Sequence, residues 1–156
     1  MVTEICSRCN TVEECYEFML AYAAQGLSSD DRSQSGKQIR EFLQRAVDAL
    51  SGLAEACIAA VKANGLEPAE KYLAFLAVLD RDARDSLCAI ELVLAQSTIS
   101  SQLIDNLNAS MHLRAVLTDL FLLGEMNKPT RTIEPMTKPE GMLGLVSIAS
   151  SDEYLR

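Results

Sequence analysis

Ile39, Leu43, Ala46, Leu50, Leu53, Cys57 and Ala60 recur at alternating spacings of four and three residues. That is a 3.5-residue period, the seam of helices packed nearly side by side. Phe42, Val47, Ile58 and Val61 broaden the stripe, which suits a bundle better than an isolated two-stranded coil. The alternation of a half-buried strand is nowhere sustained. An all-α fold is therefore expected, with a long helix over Lys37–Ala63. Gly52 falls inside that helix, costs ~1 kcal/mol relative to Ala, and is read as a close helix approach.

The other segments follow from caps and breakers. Thr11-x-x-Glu14 reads as a capping box that opens a first helix over Thr11–Gln25, with Val12, Cys15, Met19 and Tyr22 on one stripe. Gly26 is a natural stop. Ser28–Gly36 reads as a loop. Asn64-Gly-Leu-Glu-Pro68 breaks the chain again, and a third helix is predicted over Ala69–Gln96. Its first half, Tyr72–Leu79, is apolar nearly all round, and its middle carries Asp80/Arg84 and Arg81/Asp85 as i,i+4 pairs. After the hydroxyl-rich turn Ser97–Ser101, a fourth helix is predicted over Gln102–Glu125.

These segments predict an antiparallel up-and-down four-helix bundle over residues 1–126, with three long helices and a shorter N-terminal one. The short helix would leave an apolar groove, to be covered by dimerisation. Pro129, Pro135 and Pro139 make residues 127–156 an extended arm rather than a second domain. Within the arm, Met142–Ala149 (MLGLVSIA) is apolar enough to need cover, on its own bundle or on a neighbouring subunit.

Charge narrows the function classes. Fourteen basic residues face 22 acidic ones, for a net charge of −8. A nucleic-acid binder needs a positive face to displace phosphate counterions, and an anionic membrane surface asks for the same. Neither partner is expected. Residues 1–10 lack the pattern of a signal peptide, and no run approaches the ~18 apolar residues of a spanning helix. A cytoplasmic protein with reduced thiols is the expectation.

Few residues offer chemistry. Cys6-Ser-Arg-Cys9 has the spacing of a metal chelate or a reversible disulfide, and Cys15 offers a third thiolate for zinc or iron. Cys57 and Cys88 sit on helical stripes and read as core residues. His112 is the only histidine. If the third and fourth helices pair about the Ser97–Ser101 turn, Asp85 lies opposite His112 and Asp82 near Arg114, a possible polar site. Asp80, Asp82, Asp85 and Glu91 read as a solvated, salt-bridged face rather than a magnesium site. No Glu-x-x-His, P-loop, dinucleotide fingerprint, nucleophile elbow or zincin motif occurs. The leading expectation is a non-catalytic helical interaction or regulatory protein, a homodimer that binds a protein partner through an apolar groove. A thiol- or metal-responsive regulator using the N-terminal cysteines is the alternative. An enzyme or phosphotransfer protein using His112 with Asp85 is the third reading.

Overall fold

In a computed structural model of the chain, residues 2–31 and 33–126 are described. The proposed arm, with Met142–Ala149, lies outside the described residues. Six α-helices and no strand occur among the described residues: α1 (Val2–Ala23), α2 (Gln34–Leu50), α3 (Leu53–Asn64), α4 (Ala69–Leu94), α5 (Ser101–Ala109) and α6 (His112–Met126). α1 packs chiefly on α2 and α5, α4 on α6 and α3, and α2 also touches α4. No helix among the described residues is long and apolar enough to cross a membrane.

The expected seam is the core. Ile39, Leu43, Ala46, Leu50, Leu53 and Cys57 are all buried, facing Val12, Cys15, Met19 and Tyr22 from α1 and Leu76, Leu79, Ala83 and Ile90 from α4, while Ala60, the last member of the expected seam, is only half-buried and Val61 is buried in its place. Phe18 of α1 stacks on Phe42 of α2, with ring centroids 4.1 Å apart, and Arg45 lies over the outer side of Phe42 while pairing with Glu14 at 2.6 Å.

Three boundaries differ from the sequence expectation, each for a visible reason. The first helix is not short, because it begins at Val2 rather than Thr11. Ile5 and Cys9 carry its inner stripe back beyond Val12 and pack on the core. Thr11 is mid-helix and donates its hydroxyl to the Ser7 carbonyl at 3.0 Å, while Glu14 is taken by Arg45, so no capping box forms. The groove attributed to a short first helix therefore loses that origin. The second helix is two helices. Gly52 stands at φ 76°, and a Cβ there would meet nothing within 4 Å, so it serves a left-handed turn and not a close approach. Arg8 of α1 caps the carbonyls released at that break, donating to Asp48, Ala49 and Ser51 at 3.3, 3.1 and 2.7 Å. The fourth helix is also two, divided at Ser110 and Met111, with Met111 in the left-handed region at φ 66°.

At the opposite end a polar knot joins four helices. Asp30 is only 6 % exposed. One of its carboxylate oxygens accepts the Ile99 amide at 2.8 Å, and the other accepts Arg40 Nε at 2.6 Å. The Arg40 guanidinium then donates to the Leu94, Gln96 and Ser97 carbonyls, capping the C-terminus of α4 with positive charge. Tyr22 donates its hydroxyl to the Ile99 carbonyl at 2.7 Å. Ser101 donates its hydroxyl to the Tyr22 carbonyl and accepts the Leu27 amide, while its own amide donates to the Leu27 carbonyl. Gly36 of α2 passes so close to Asp30 that a Cβ would overlap the Asp30 carbonyl.

Burial alone would push the Asp30 carboxyl up, but the Ile99 amide and the Arg40 guanidinium outweigh it and hold the group below its ordinary range. A depressed carboxyl adds stability above its unfolded value, and that stability is lost as pH falls through the folded value. Asp30→Ala is expected to cost about 2 kcal/mol at pH 7, leaving a partly buried guanidinium and an orphaned amide. In urea denaturation that deficit against wild type should shrink on acidification below the ordinary carboxylate range. Gly36→Ala is expected to cost about 2 kcal/mol through backbone overlap, read from the same urea midpoints.

Candidate functional site

The end of the molecule away from the knot holds a partly enclosed apolar cavity among the described residues. Its walls are Ile5, Cys6 and Cys9 of α1, Cys57, Ala60, Val61 and Asn64 of α3, Leu76 of α4, and Leu120, Leu123 and Gly124 of α6, with Leu66 from the α3–α4 turn. Its volume is about 550 Å³, within the range of ligand pockets, and its lining is mostly apolar. The cavity exists because the chain turns at Ser51–Gly52. That turn aims α3 toward α4 and brings Cys57 and Val61 round to face the first turns of α1. A further depression, beside Ser100 and Ser101, has the polar knot in its wall and is more open to solvent.

The cysteines divide between pocket and core. Cys6 is exposed, Cys9 half-buried and Cys57 buried, and all three line the pocket. Cys15 is completely buried on the core stripe, with Sγ 3.8 Å from Met19 Sδ. A continuous helix with a rise of ~1.5 Å per residue separates Cys15 from Cys6 by ~13 Å along its axis. The structure thus brings Cys57 rather than Cys15 to the Cys6/Cys9 pair. No set of three or more His, Cys, Asp or Glu side chains among the described residues is placed to hold a metal ion. Burial pushes the Cys9 thiol up to about 11, reinforced by the neighbouring Cys57, and pushes Cys57 to about 11 and Cys15 to about 12. The thiolate is the nucleophile and the metal ligand, so at neutral pH these protonated thiols act as apolar wall. Cys88, expected in the core, is exposed on the outer face of α4.

The proposed polar site does not assemble as drawn. His112 opens α6, while Asp85 and Arg114 are exposed, and no hydrogen bond or ion pair joins the three among the described residues. The break at Ser110–Met111 shifts the register of α6 on α4. Asp119 comes to face Asp82, one of the α4 carboxylates expected on a solvated face. Burial pushes Asp119 up to about 6, and hydrogen bonding to Asp82 together with the Asp82 charge pushes it the same way. Asp119 Oδ2, the Ser86 hydroxyl and both polar atoms of the Asn108 amide are buried without a hydrogen-bond partner. Of the salt-bridged face expected on α4, Asp80 and Arg84 form their pair at 2.9 Å.

Compared with known proteins, the chain matches no family model, no curated protein and no solved structure. Any functional reading therefore stands on this geometry.

The facing carboxyls give a pH prediction. The folded protein holds the Asp119 proton more tightly than the unfolded chain, so this group's contribution to stability falls as pH rises from about 4 to about 6. Asp119→Asn removes the penalty at neutral pH. It is expected to stabilise the protein by about 1 kcal/mol at pH 7, a figure reduced for partial solvent screening. The gain should vanish near pH 4. Thermal melts of both proteins across that range check it.

Proposed function

We propose that the protein is a non-catalytic helical interaction module that receives an apolar segment of a protein partner in the groove between α1, α3, α4 and α6. In this reading α1, the broken pair α2/α3, α4 and the broken pair α5/α6 form an up-and-down four-helix bundle with a C-terminal arm, acting in the cytoplasm as a homodimer. The observation that carries the reading is the groove itself. It is apolar and partly enclosed, and the Cys9 and Cys57 thiols in its wall are neutral at neutral pH. Phe121, Leu122 and Met126 are further exposed apolar side chains of α6. Helix-in-groove recognition uses such a surface, with apolar anchors from the partner filling the pocket. The acidic composition favours a segment with flanking basic residues.

The thiol- or metal-responsive alternative draws support from Cys6, Cys9 and Cys57 sharing one pocket. The raised thiol values count against it at neutral pH.

Ala60 lines the groove and is only half-buried, so Ala60→Glu places a charge in the pocket with little threat to the fold. The variant is expected to weaken binding of an apolar dye, 1-anilinonaphthalene-8-sulfonate, by about tenfold relative to wild type, the cost of about 1.4 kcal/mol for an unpaired charge on apolar surface. Glu41→Lys on the exposed face of α2 should leave it unchanged. Equal dye affinity for wild type and Ala60→Glu would remove the groove as the binding surface.

A further inference from the structure

We propose that the groove is occupied in cis by residues 142–149 of the same chain, so that a partner must displace this segment to bind. The inference rests on the reading of the groove as a docking site and names its regulation. Three observations carry it. First, α6 delivers the chain to the groove: Leu120, Leu123 and Gly124 line it, and the helix runs on only to Met126. Second, residues 127–156 follow, and Met142–Ala149 is their one sustained apolar run without charge, bounded by Lys138 and Glu140 before it and Asp152 and Glu153 after it. Met142, Leu143, Leu145, Val146 and Ile148 supply the apolar side chains that a cavity of about 550 Å³ walled by Cys9, Val61, Leu66, Leu76 and Leu123 accepts. Third, the connection is long enough. Residues 127–141 reach up to ~50 Å when extended, more than the width of a small domain.

Tethering decides between this segment and a second copy of the chain. A tether of about 15 residues holds its end at an effective concentration of roughly millimolar. The same segment on another molecule competes only at the bulk protein concentration, which is lower by orders of magnitude in dilute solution. A segment that fills the groove about nine-tenths of the time lowers the apparent affinity of any competitor about tenfold. The groove would then be a self-covered surface, opened by a partner whose apolar segment fits better.

The test uses the full chain and its own thiols. Cys9 sits in the groove wall, and Cys88, exposed on the far half of α4, serves as an internal reference. Leu145→Asp with Val146→Asp puts charge into the proposed occupant without touching a described residue. Alkylation by N-ethylmaleimide is followed residue by residue in a mass spectrometer, and 1-anilinonaphthalene-8-sulfonate affinity is measured in parallel. The expected result is a Cys9 rate, relative to Cys88, about tenfold faster in the double variant, and dye affinity about tenfold tighter. Both should be independent of protein concentration, and the dye gain should be abolished by adding Ala60→Glu. Unchanged Cys9 labelling and dye affinity, with the dye still sensitive to Ala60→Glu, would overturn the self-occupied groove and keep the docking site. Protection of Cys9 that grows with protein concentration would also overturn it and assign the segment to a second copy. Dye affinity insensitive to Ala60→Glu in every background would overturn both.

Discussion

Asp30 is the group on which the arrangement of this molecule depends. A buried carboxylate is tolerated only when its oxygens are satisfied and its charge is met. Here one oxygen fixes the Ile99 amide in the α4–α5 turn, and the other fixes Arg40 on α2. Arg40 then caps α4. A single loop residue thereby sets the end of one helix, the start of another and the turn between them. Apolar contact is non-directional, whereas each hydrogen bond of the carboxylate is met at one geometry, so Asp30 specifies these junctions more narrowly than packing alone. Gly36 belongs to the same device: its missing side chain lets α2 approach the Asp30 backbone closely enough for the pair to form.

The two ends of the molecule are consequently unlike. At the Asp30 end the junctions between helices are fixed by directional hydrogen bonds. At the other end Arg8 performs the corresponding job, capping α2 together with the Ser51 hydroxyl so that the chain can turn at Gly52. What surrounds that turn is apolar and non-directional: Ile5, Val61, Leu66, Leu76 and Leu123 meet without filling the space between them. A break in one helix of a closely packed set displaces the following helix from the continuous seam, and the volume it vacates is the groove. The cavity is thus a consequence of the Ser51–Gly52 turn and not of a short first helix.

What the sequence made legible was the period and what it buries. The Ile39-to-Cys57 stripe, the Val12-to-Tyr22 stripe and the extent of α4 are as the spacing predicts, because burial follows helical periodicity directly. The junctions were less legible. Gly52 looked like an interior glycine because the apolar seam runs through the turn without a gap: Leu50 and Leu53 are both buried on either side of it. Ile5 and Cys9 extend the first stripe by two turns, a signal present in the spacing but outweighed by an apparent capping box at Thr11. The Met111 break carries no glycine or proline to announce it. The pocket was not legible: Cys6 and Cys9, which line it, stood out only for their metal-ligand spacing. Its third thiol, Cys57, came from a distant helix that only the fold could bring near. Asp30 was hidden for the same reason, since its partners lie 10 and 69 residues away.

The energetic costs of the fold also have a location. The Asp82/Asp119 carboxyl pair, the unpartnered Ser86 hydroxyl and Asn108 amide, and the left-handed Met111 all lie in α4–α6 or at the α5–α6 junction. Each is a term that an apolar or glycine replacement would relieve. Regions that open first are those whose native contacts are offset by such costs. α6 carries one of them, Asp119, and begins directly after Met111. The same helix supplies Leu120, Leu123 and Gly124 to the groove and ends where residues 127–156 begin. Anything that fills the pocket and packs on α6 adds apolar contact to a helix that carries the Asp119 cost, and binding there would be read out directly as stability of the whole fold.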